Sequence, residues 1–324
     1  MCNFPLKIGI VTSGGDAPGM NAAIRAVVRY AIPRGVEVAG IERGYNGLTT
    51  NQIRPLSLRS VGGIIHLGGT ALKSVRCPEF QTVNGLEKGA ETLRQNEIDG
   101  LIVVGGDGSF KGALALQQRI NIPIVGIPAT IDNDVAGTDE TIGFDTAVNT
   151  ALQAIDKIRD TAQSHDRVFV VEVMGRERGF LALAIGVTAG AGVILLPEIQ
   201  FTLDSVCKKL QLYDERGKTT TIIVAAEGIG DTYRVVDYIR THTRFEVRHT
   251  ILGHVQRGGS PSARSRLIAD LFGTRAVELL LDGAKRTMVG LRGKTIISTD
   301  LEAVCRSRKR IDRRLYTLAE ELAL

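Results

Sequence analysis

Four carboxylates crowd the stretch GIPATIDNDVAGTDE, Gly126 to Glu140: Asp132 and Asp134, separated by Asn133, then Asp139 and Glu140. They follow an apolar run, Ile122 to Ile127, that reads as a buried strand. From an ordinary value of about 3.9, both central aspartates ionise at neutral pH unless they are coupled or buried. Close like charges raise one pKa, which makes one aspartate a base for a hydroxyl and leaves the other to face a metal or orient an arginine. An Asx turn accounts for Asp-Asn-Asp equally well at this point.

Three further segments carry residues suited to chemistry. VTSGGDAPGMNAAIR (11–25) reads as strand, Gly-Gly turn, helix. Gly14 and Gly15 let backbone N–H groups approach a ligand and the helix start favours an anion, although a plain tight turn uses the same glycines. VVGGDGSFKGA (103–113) repeats the plan with Asp107 inside the turn, at a strand's carboxyl end, where open α/β sheets bind ligands. That suits nucleotide phosphates with Mg²⁺ on Asp107, or else makes Asp107 a helix N-cap. ILGHVQRGGSP (251–261) sets His254 and Arg257 beside Gly258-Gly259, and Arg167, Arg176 and Arg248 lie at or near strand ends. A guanidinium fork matches phosphate oxygens, so the set points to a phosphorylated substrate, while each arginine singly reads as a surface residue.

The elements that must hold these loops are legible as short apolar runs: Ile8–Val11, Val36–Ile41, Leu101–Val104, Ile122–Ile127, Val168–Val173, Val193–Leu196 and Thr221–Ala225. They are continuous rather than alternating, as in parallel strands covered on both faces. Helical patterns separate them, the clearest at Met20 to Ile32, stopped by Pro33 and Gly35. The order strand, glycine turn, helix argues for doubly wound α/β units. A loose repeat of the pattern near residue 8 around residue 168 suggests two related lobes.

With 324 residues, 44% hydrophobic and 23% charged, the chain suits two α/β lobes. A formal charge of +5 fits small anionic ligands at least as well as nucleic acid. The four cysteines (Cys2, Cys77, Cys207, Cys305) are scattered without CxxC or zinc spacing, which points to a reducing cytoplasm. The N-terminus MCNFPLKIGIVTSGG has no signal-peptide pattern. The uncharged Phe180 to Leu196 is broken by Gly186, Gly190 and Gly192 and reads as a buried helix turning into a buried strand rather than a membrane span. The basic run RSRKRIDRR (306–314) reads as a solvated helix face.

Taken in order, TSGGDAPGMNAAIR, GGDGS, TIDND, VVEVMGR and LGHVQRGGSP resemble the bacterial ATP-dependent 6-phosphofructokinases, from about Lys7 to Asp300. The resemblance implies two Rossmann-like three-layer α/β/α lobes with largely parallel sheets, an active site in the cleft between them, and a homotetramer. Residues 1–140 plus 252–300 would form an ATP-binding lobe, and 141–251 plus 301–324 a sugar-phosphate-binding lobe. Gly15, Arg76, Cys77, Gly106, Asp107, Gly108 and Ser109 would hold ATP, with Asp107 on Mg²⁺. Asp132 would take the proton from the 1-hydroxyl of fructose 6-phosphate, while Thr130, Asp134 and Arg176 position or stabilise the transferring phosphoryl group. Ile131, Met174, Gly175, Glu227, Val255 and Gln256 would lie at the sugar. His254 and Arg257, with Arg167 and Arg248 of a neighbouring subunit, would bind its 6-phosphate.

Two positions bear on the donor. Pyrophosphate-dependent relatives tend to carry Asp in place of Gly108 and Lys in place of Ala129; the small residues here favour ATP, although Ala129 is one methyl larger than the usual glycine and Cys77 stands where a Phe is common. At the effector site, Arg25 and Arg29 lie four apart on one helix and repel unless an anion bridges them. In the family these positions, with those of Arg159, Arg216 and Lys218, bind the phosphates of ADP or phosphoenolpyruvate, and Arg59, next to Leu58, joins them as a candidate here. Leu58 replaces a usual arginine and Gly192 a glutamate that would hold the effector's magnesium, so the response to Mg-ADP is expected to be weakened or altered. Tetramer salt bridges are the alternative use of these arginines. The alternatives to an ATP-dependent enzyme are a pyrophosphate-dependent one, another kinase with a GGDG loop, and a nucleotide sensor without catalysis.

Overall fold

The computed structural model describes residues 7–323. Residues 1–6 and 324 lie outside the described residues, and with them the expectation for Cys2 and for the start of the N-terminal segment. The strands, in chain order, are β1 (Lys7–Thr12), β2 (Glu37–Ile41), β3 (Ile53–Leu56), β4 (Gly100–Gly105), β5 (Ile124–Thr130), β6 (Ile142–Gly143), β7 (Val168–Val173), β8 (Val193–Leu195), β9 (Thr221–Ala226), β10 (Val247–Ile251), β11 (Arg286–Arg292) and β12 (Thr295–Asp300). The chain divides into two compact units, residues 1–146 with 257–309 and residues 147–256 with 310–324. These bounds differ from those expected: 141–146 and 301–309 join the first unit and 252–256 the second. Residues 301–309 go with the first because Leu301 and Val304 are buried in its core beside Phe110 and Met288.

In the first unit the sheet runs β12-β11-β5-β4-β1-β2-β3, with β6 paired to β5. From β11 to β2 the neighbours are parallel; β12 and β3 close the two edges antiparallel. Every residue of β4 is buried, as a central strand covered on both faces must be. One face carries a core of Val11, Ile41, Leu48, Leu101, Val103 and Phe110 among others. On the helix Met20–Ala31 the expected stripe of Met20, Ala23, Ile24, Val27, Val28 and Ala31 is buried. It packs against the helix Ala263–Leu281, where a Cβ on Gly273 would lie 2.6 Å from that of Ala26, so glycine sets the closeness of the two helices. The chain goes from β1 to β2 in one direction and from β4 to β5 in the other. The switch therefore falls between β1 and β4, where doubly wound sheets open a ligand crevice.

The second unit has a parallel sheet, β10-β7-β9-β8. Its core gathers Val168, Val170, Leu210, Tyr213, Ile223 and Ile239. The uncharged 180–196 segment is a helix, Phe180–Thr188, followed by β8, and among the described residues no helix is long and apolar enough to cross a membrane.

Two features were not anticipated. β3, β10, β11 and β12 carry charged or hydroxyl residues; β12, with its sequence TIISTD, is only partly covered, so no continuous apolar run marked it. The basic run is not one helix face. Its helix ends at Arg306, an irregular stretch follows, and the next helix begins at Arg313. Within that stretch Lys309 turns inward, onto the loop of the opening motif.

Candidate active site

In the first unit the motif loops are the carboxyl-end turns of β1, β4 and β5, three adjacent parallel strands. The β1 and β4 turns touch directly: Ser13 N–H donates to Val104 O at 2.9 Å, and a Cβ on Gly105 would stand 2.5 Å from Ser13 O. Gly105 is therefore fixed by a backbone approach rather than by its own conformation. Gly14 adopts φ 89°, a left-handed conformation that favours glycine. A Cβ on Gly15 would come within 2.4 Å of the Arg257 guanidinium, which donates to Asp16 O at 3.4 Å. Arg257 thus lies against the first glycine loop.

The helix Asp107–Gln117 starts directly in the second loop, with Gly106 as a cap that makes no side-chain hydrogen bond. Asp107 is inside the first turn, not the N-cap, and its carboxylate meets Lys111 Nζ at 2.6 Å. Nothing stands within 4 Å of where a Gly108 Cβ would be, so the space beside this residue at the helix start is open. Such a start, with partial positive charge on its unpaired N–H groups, accepts phosphate oxygens. Ser109 is buried behind it. Its carbonyl accepts the Tyr45 hydroxyl, and the Tyr45 ring stacks on Phe80 at 4.1 Å. Nothing in the pattern around Tyr45 signalled this support. Arg76 is exposed nearby in sequence to Cys77, whose thiol lies 3.8 Å from Thr49 Oγ1 at the margin of the core.

The β5 turn holds Thr130, Ile131, Asp132 and Asp134. Asp132 is 1% exposed and its N–H donates to Thr130 Oγ1 at 3.2 Å. Asn133, not either aspartate, organises the turn. It is left-handed at φ 50°, its Nδ2 donates to Asp139 O at 3.1 Å, and its Oδ1 accepts from Thr141 N–H at 3.1 Å. The two carboxylates left unassigned by sequence have structural partners: Asp139 Oδ2 accepts Gly293 N–H at 2.7 Å, and Glu140 pairs with Arg264 at 2.9 Å. Ala129 is sealed against β6, 1% exposed, whereas Gly108 opens outward.

In the second unit the β7, β9 and β10 ends are tied together by side chains. Met174 N–H donates to Gln256 Oε1 at 2.9 Å, and Gly175 N–H donates to Glu227 Oε1 at 3.2 Å. The same oxygen accepts Arg176 N–H. Gly175 at φ 142° lies where glycine goes freely, but Arg176 at φ 54° is left-handed, so that residue is held against its own preference. Arg167 and Arg248 both pair with Glu246, the former at 2.9 Å. His254 and Val255 are exposed on a short 3₁₀ turn, while Gln256 is buried. Sequence reasoning missed a cluster beside them: Thr232 Oγ1 donates to Glu172 and lies 3.0 Å from His249 Nε2.

The effector residues divide between the units. In the first, Arg25 meets Asp270 at 3.8 Å and Arg29 and Arg59 are exposed. In the second, Arg159 donates to Ala189 O, Arg216 is exposed, and Lys218 Nζ donates to Ala323 O at 2.7 Å. Burial, and then Arg159, pushes the Lys218 ammonium below its ordinary value. Gly192 has no room for a larger residue: its Cβ would meet Thr221 Cγ2 at 2.6 Å and the Tyr213 ring at 3.3 Å.

Among the described residues no group of three or more His, Cys, Asp or Glu is set to hold a metal. A single carboxylate beside an open, amide-lined helix start fits Mg²⁺, which keeps waters and takes one or two protein carboxylates alongside substrate phosphates.

Against known proteins, the family described as Phosphofructokinase matches residues 7–280. The chain is 51% identical over 318 residues to an ATP-dependent 6-phosphofructokinase of Bacillus pumilus, covering 98% of this chain and 99% of that one. It is 52% identical over 318 residues to the protein of the same name in Halalkalibacterium halodurans, with the same coverage. Among solved structures, phosphofructokinase from Saccharomyces cerevisiae superposes with a TM-score of 0.87 at 34% identity, over 98% of this chain and 46% of the yeast chain. The chain therefore spans less than half of that neighbour. A pyrophosphate-dependent phosphofructokinase from Marinobacter aquaeolei gives 0.84 at 25% identity, over 95% of this chain and 86% of that one.

Proposed function

The chain belongs to the phosphofructokinase family, and from that premise we infer that it transfers the γ-phosphoryl group of ATP to the 1-hydroxyl of fructose 6-phosphate. The products are fructose 1,6-bisphosphate and ADP, a committed step of glycolysis. The observation that carries this reading is near-full-length identity of about half to curated ATP-dependent enzymes. The open space at Gly108 supports the same donor, because a nucleotide's α-phosphate needs room that an aspartate would fill.

In the mechanism we propose, the amides at the start of the helix Asp107–Gln117 and the Gly15 turn bind the triphosphate. Asp107 would hold Mg²⁺, which would supply neutralisation of the phosphate charge. Asp132 accepts the proton of the 1-hydroxyl as that oxygen forms its bond to the γ-phosphorus and the bond to ADP breaks. Thr130 and Asp134 fix the transfer geometry, and Arg176 stabilises the charge on the moving phosphoryl group. Met174, Gly175 and Glu227 bind the sugar, while His254 and Arg257, with Arg167 and Arg248 serving a neighbouring subunit of a homotetramer, bind its 6-phosphate. Phosphoryl transfer of this type rests on positioning and charge neutralisation. An anionic effector, ADP or phosphoenolpyruvate, would be held by Arg25, Arg29, Arg59, Arg159, Arg216 and Lys218. The thiols of Cys77, Cys207 and Cys305 are free, in keeping with a cytoplasmic enzyme.

Steady-state kinetics of the purified protein on fructose 6-phosphate with ATP, GTP and pyrophosphate test the reading. Turnover with ATP supports it. Turnover with pyrophosphate alone, or none with fructose 6-phosphate, overturns it.

A further inference from the structure

Lys309 is the last residue of the first unit, in the irregular stretch between the helices Leu301–Arg306 and Arg313–Leu322. Its Nζ donates to Asn133 Oδ1 at 2.9 Å and to Asp139 O at 2.9 Å, contacts that reach 176 and 170 residues back along the chain. Both acceptors already take part in the β5 turn. Asp139 O also accepts Asn133 Nδ2 at 3.1 Å, and Asn133 Oδ1 also accepts Thr141 N–H at 3.1 Å and Thr141 Oγ1 at 3.3 Å. The ammonium therefore bridges the first and last residues of the loop 133–139 at the atoms where the loop closes on itself. Asn133, flanked directly by Asp132 and Asp134, is 6% exposed and left-handed, a conformation that asparagine adopts more readily than other non-glycine residues.

From this geometry we infer that Lys309 is a positioning residue for phosphoryl transfer, fixing through Asn133 and Asp139 the backbone that carries Asp132 and Asp134. The inference rests on the reading of Asp132 as the base. A neutral donor could close the same hydrogen bonds, and the site holds a lysine although lysine is costly there. Burial pushes its ammonium down to about 8, against the pull of Asp139, Asp134 and Glu140. A charged donor also places positive charge near Asp134, Asp139 and Glu140, the carboxylates that act on it. Charge-assisted hydrogen bonds are the stronger kind and hold a turn more tightly than neutral ones. The cause of the lysine's inward turn lies in the helix before it: Leu301 and Val304 are buried in the first core, which delivers residues 307–309 to the loop.

The test uses the full-length enzyme and four variants: Lys309→Met, Lys309→Arg, Asp132→Ser, and the double variant Asp132→Ser/Lys309→Met. Wild-type turnover of fructose 6-phosphate with ATP is measured first; its absence removes the functional reading and is recognised as such before any variant is compared. For Lys309→Met the expected result is a fall in kcat of roughly 100-fold, the scale of an ångström-level misplacement, with both KM values within about threefold. Lys309→Arg is expected to recover part of the loss. In the Asp132→Ser background the Lys309→Met change is expected to have little further effect, because a residue acting through Asp132 has nothing left to position. A kcat within about threefold of wild type, full additivity in the double variant, or a loss that merely tracks the unfolded fraction by circular dichroism each overturns the proposal. Should Lys309→Met not fold, Lys309→Ala, which likewise lacks a donor, takes its place in both arms of the comparison with the same expected outcomes.

Discussion

The carboxylate of Glu227 accepts the backbone N–H of Gly175 at 3.2 Å and, through the same oxygen, that of Arg176. One side chain at the end of β9 thus holds two consecutive residues of positive φ at the end of β7. Glu227→Ala is expected to release this turn, raising KM for fructose 6-phosphate by roughly tenfold or more, about 1.4 kcal/mol of lost binding, and lowering kcat through Arg176. An unchanged KM in initial-rate assays would show that the turn keeps its shape without Glu227.

Replacing Asp132 by Ser is expected to lower kcat by about 10²–10⁴-fold, the usual contribution of a positioned base, while KM for both substrates changes little. The 1% exposure of Asp132 makes serine a better choice than a larger residue, since it fits the buried space. Single-turnover measurements separate the chemical step from product release. A rate near wild type removes Asp132 from the mechanism.

Gly108→Asp is a test of donor choice with little risk to folding, because nothing lies within 4 Å of the added Cβ. The variant is expected to melt near the wild-type temperature and to lose affinity for ATP by roughly tenfold or more. Unaltered ATP kinetics would mean that this space is not used by the nucleotide.

Burial pushes the His249 imidazole below its ordinary value of 6.5, with Arg240 acting in the same sense and Glu172 and Asp231 opposing. The unfolded chain therefore takes up the proton first as the pH falls. This group's share of stability is present above about 6.5 and is lost progressively on acidification below it. Urea midpoints at pH 7.5 and 5.5 should drop more steeply for wild type than for His249→Gln; equal slopes would contradict the assignment.

Restoring the family's glutamate at position 192 is expected to fail. The new Cβ would lie 2.6 Å from Thr221 Cγ2 and 3.3 Å from the Tyr213 ring, whose hydroxyl donates to Gly192 O at 2.9 Å. Gly192→Glu should lower stability by about 1–3 kcal/mol, the range for overpacking, without creating a response to Mg-ADP. A stable variant with a gained Mg-ADP response would refute the claim that the surrounding residues have closed this position.

Read from sequence, the loops of the candidate site were legible where they are short, contiguous pieces. The glycine turns at 13–15 and 105–109, the positions of Asp107 and Asp132, and the covered strands before them could be placed because a buried parallel strand needs an unbroken apolar run, and glycines directly after it allow a close backbone approach. The same reading left Asp107 between N-cap and ligand, and Asp132–Asp134 between Asx turn and site. Helix geometry removes the N-cap reading of Asp107, since Gly106 occupies the cap. At the second, the turn's side-chain hydrogen bonds are made by Asn133 between the two aspartates.

What only the tertiary structure decided are the pairings whose partners are far apart in the chain. Lys309 with Asn133, Asp139 with Gly293 and Glu140 with Arg264 span 176, 154 and 124 residues. No local pattern encodes such contacts; the sheet order fixes them by laying β11 beside β5 and burying the helix Leu301–Arg306 in the first core. A run of cations such as 306–314 looks uniform as a string because charge is a local property. Which of its members turns inward depends on where the preceding helix stops and what acceptors stand opposite, and both are properties of the folded chain.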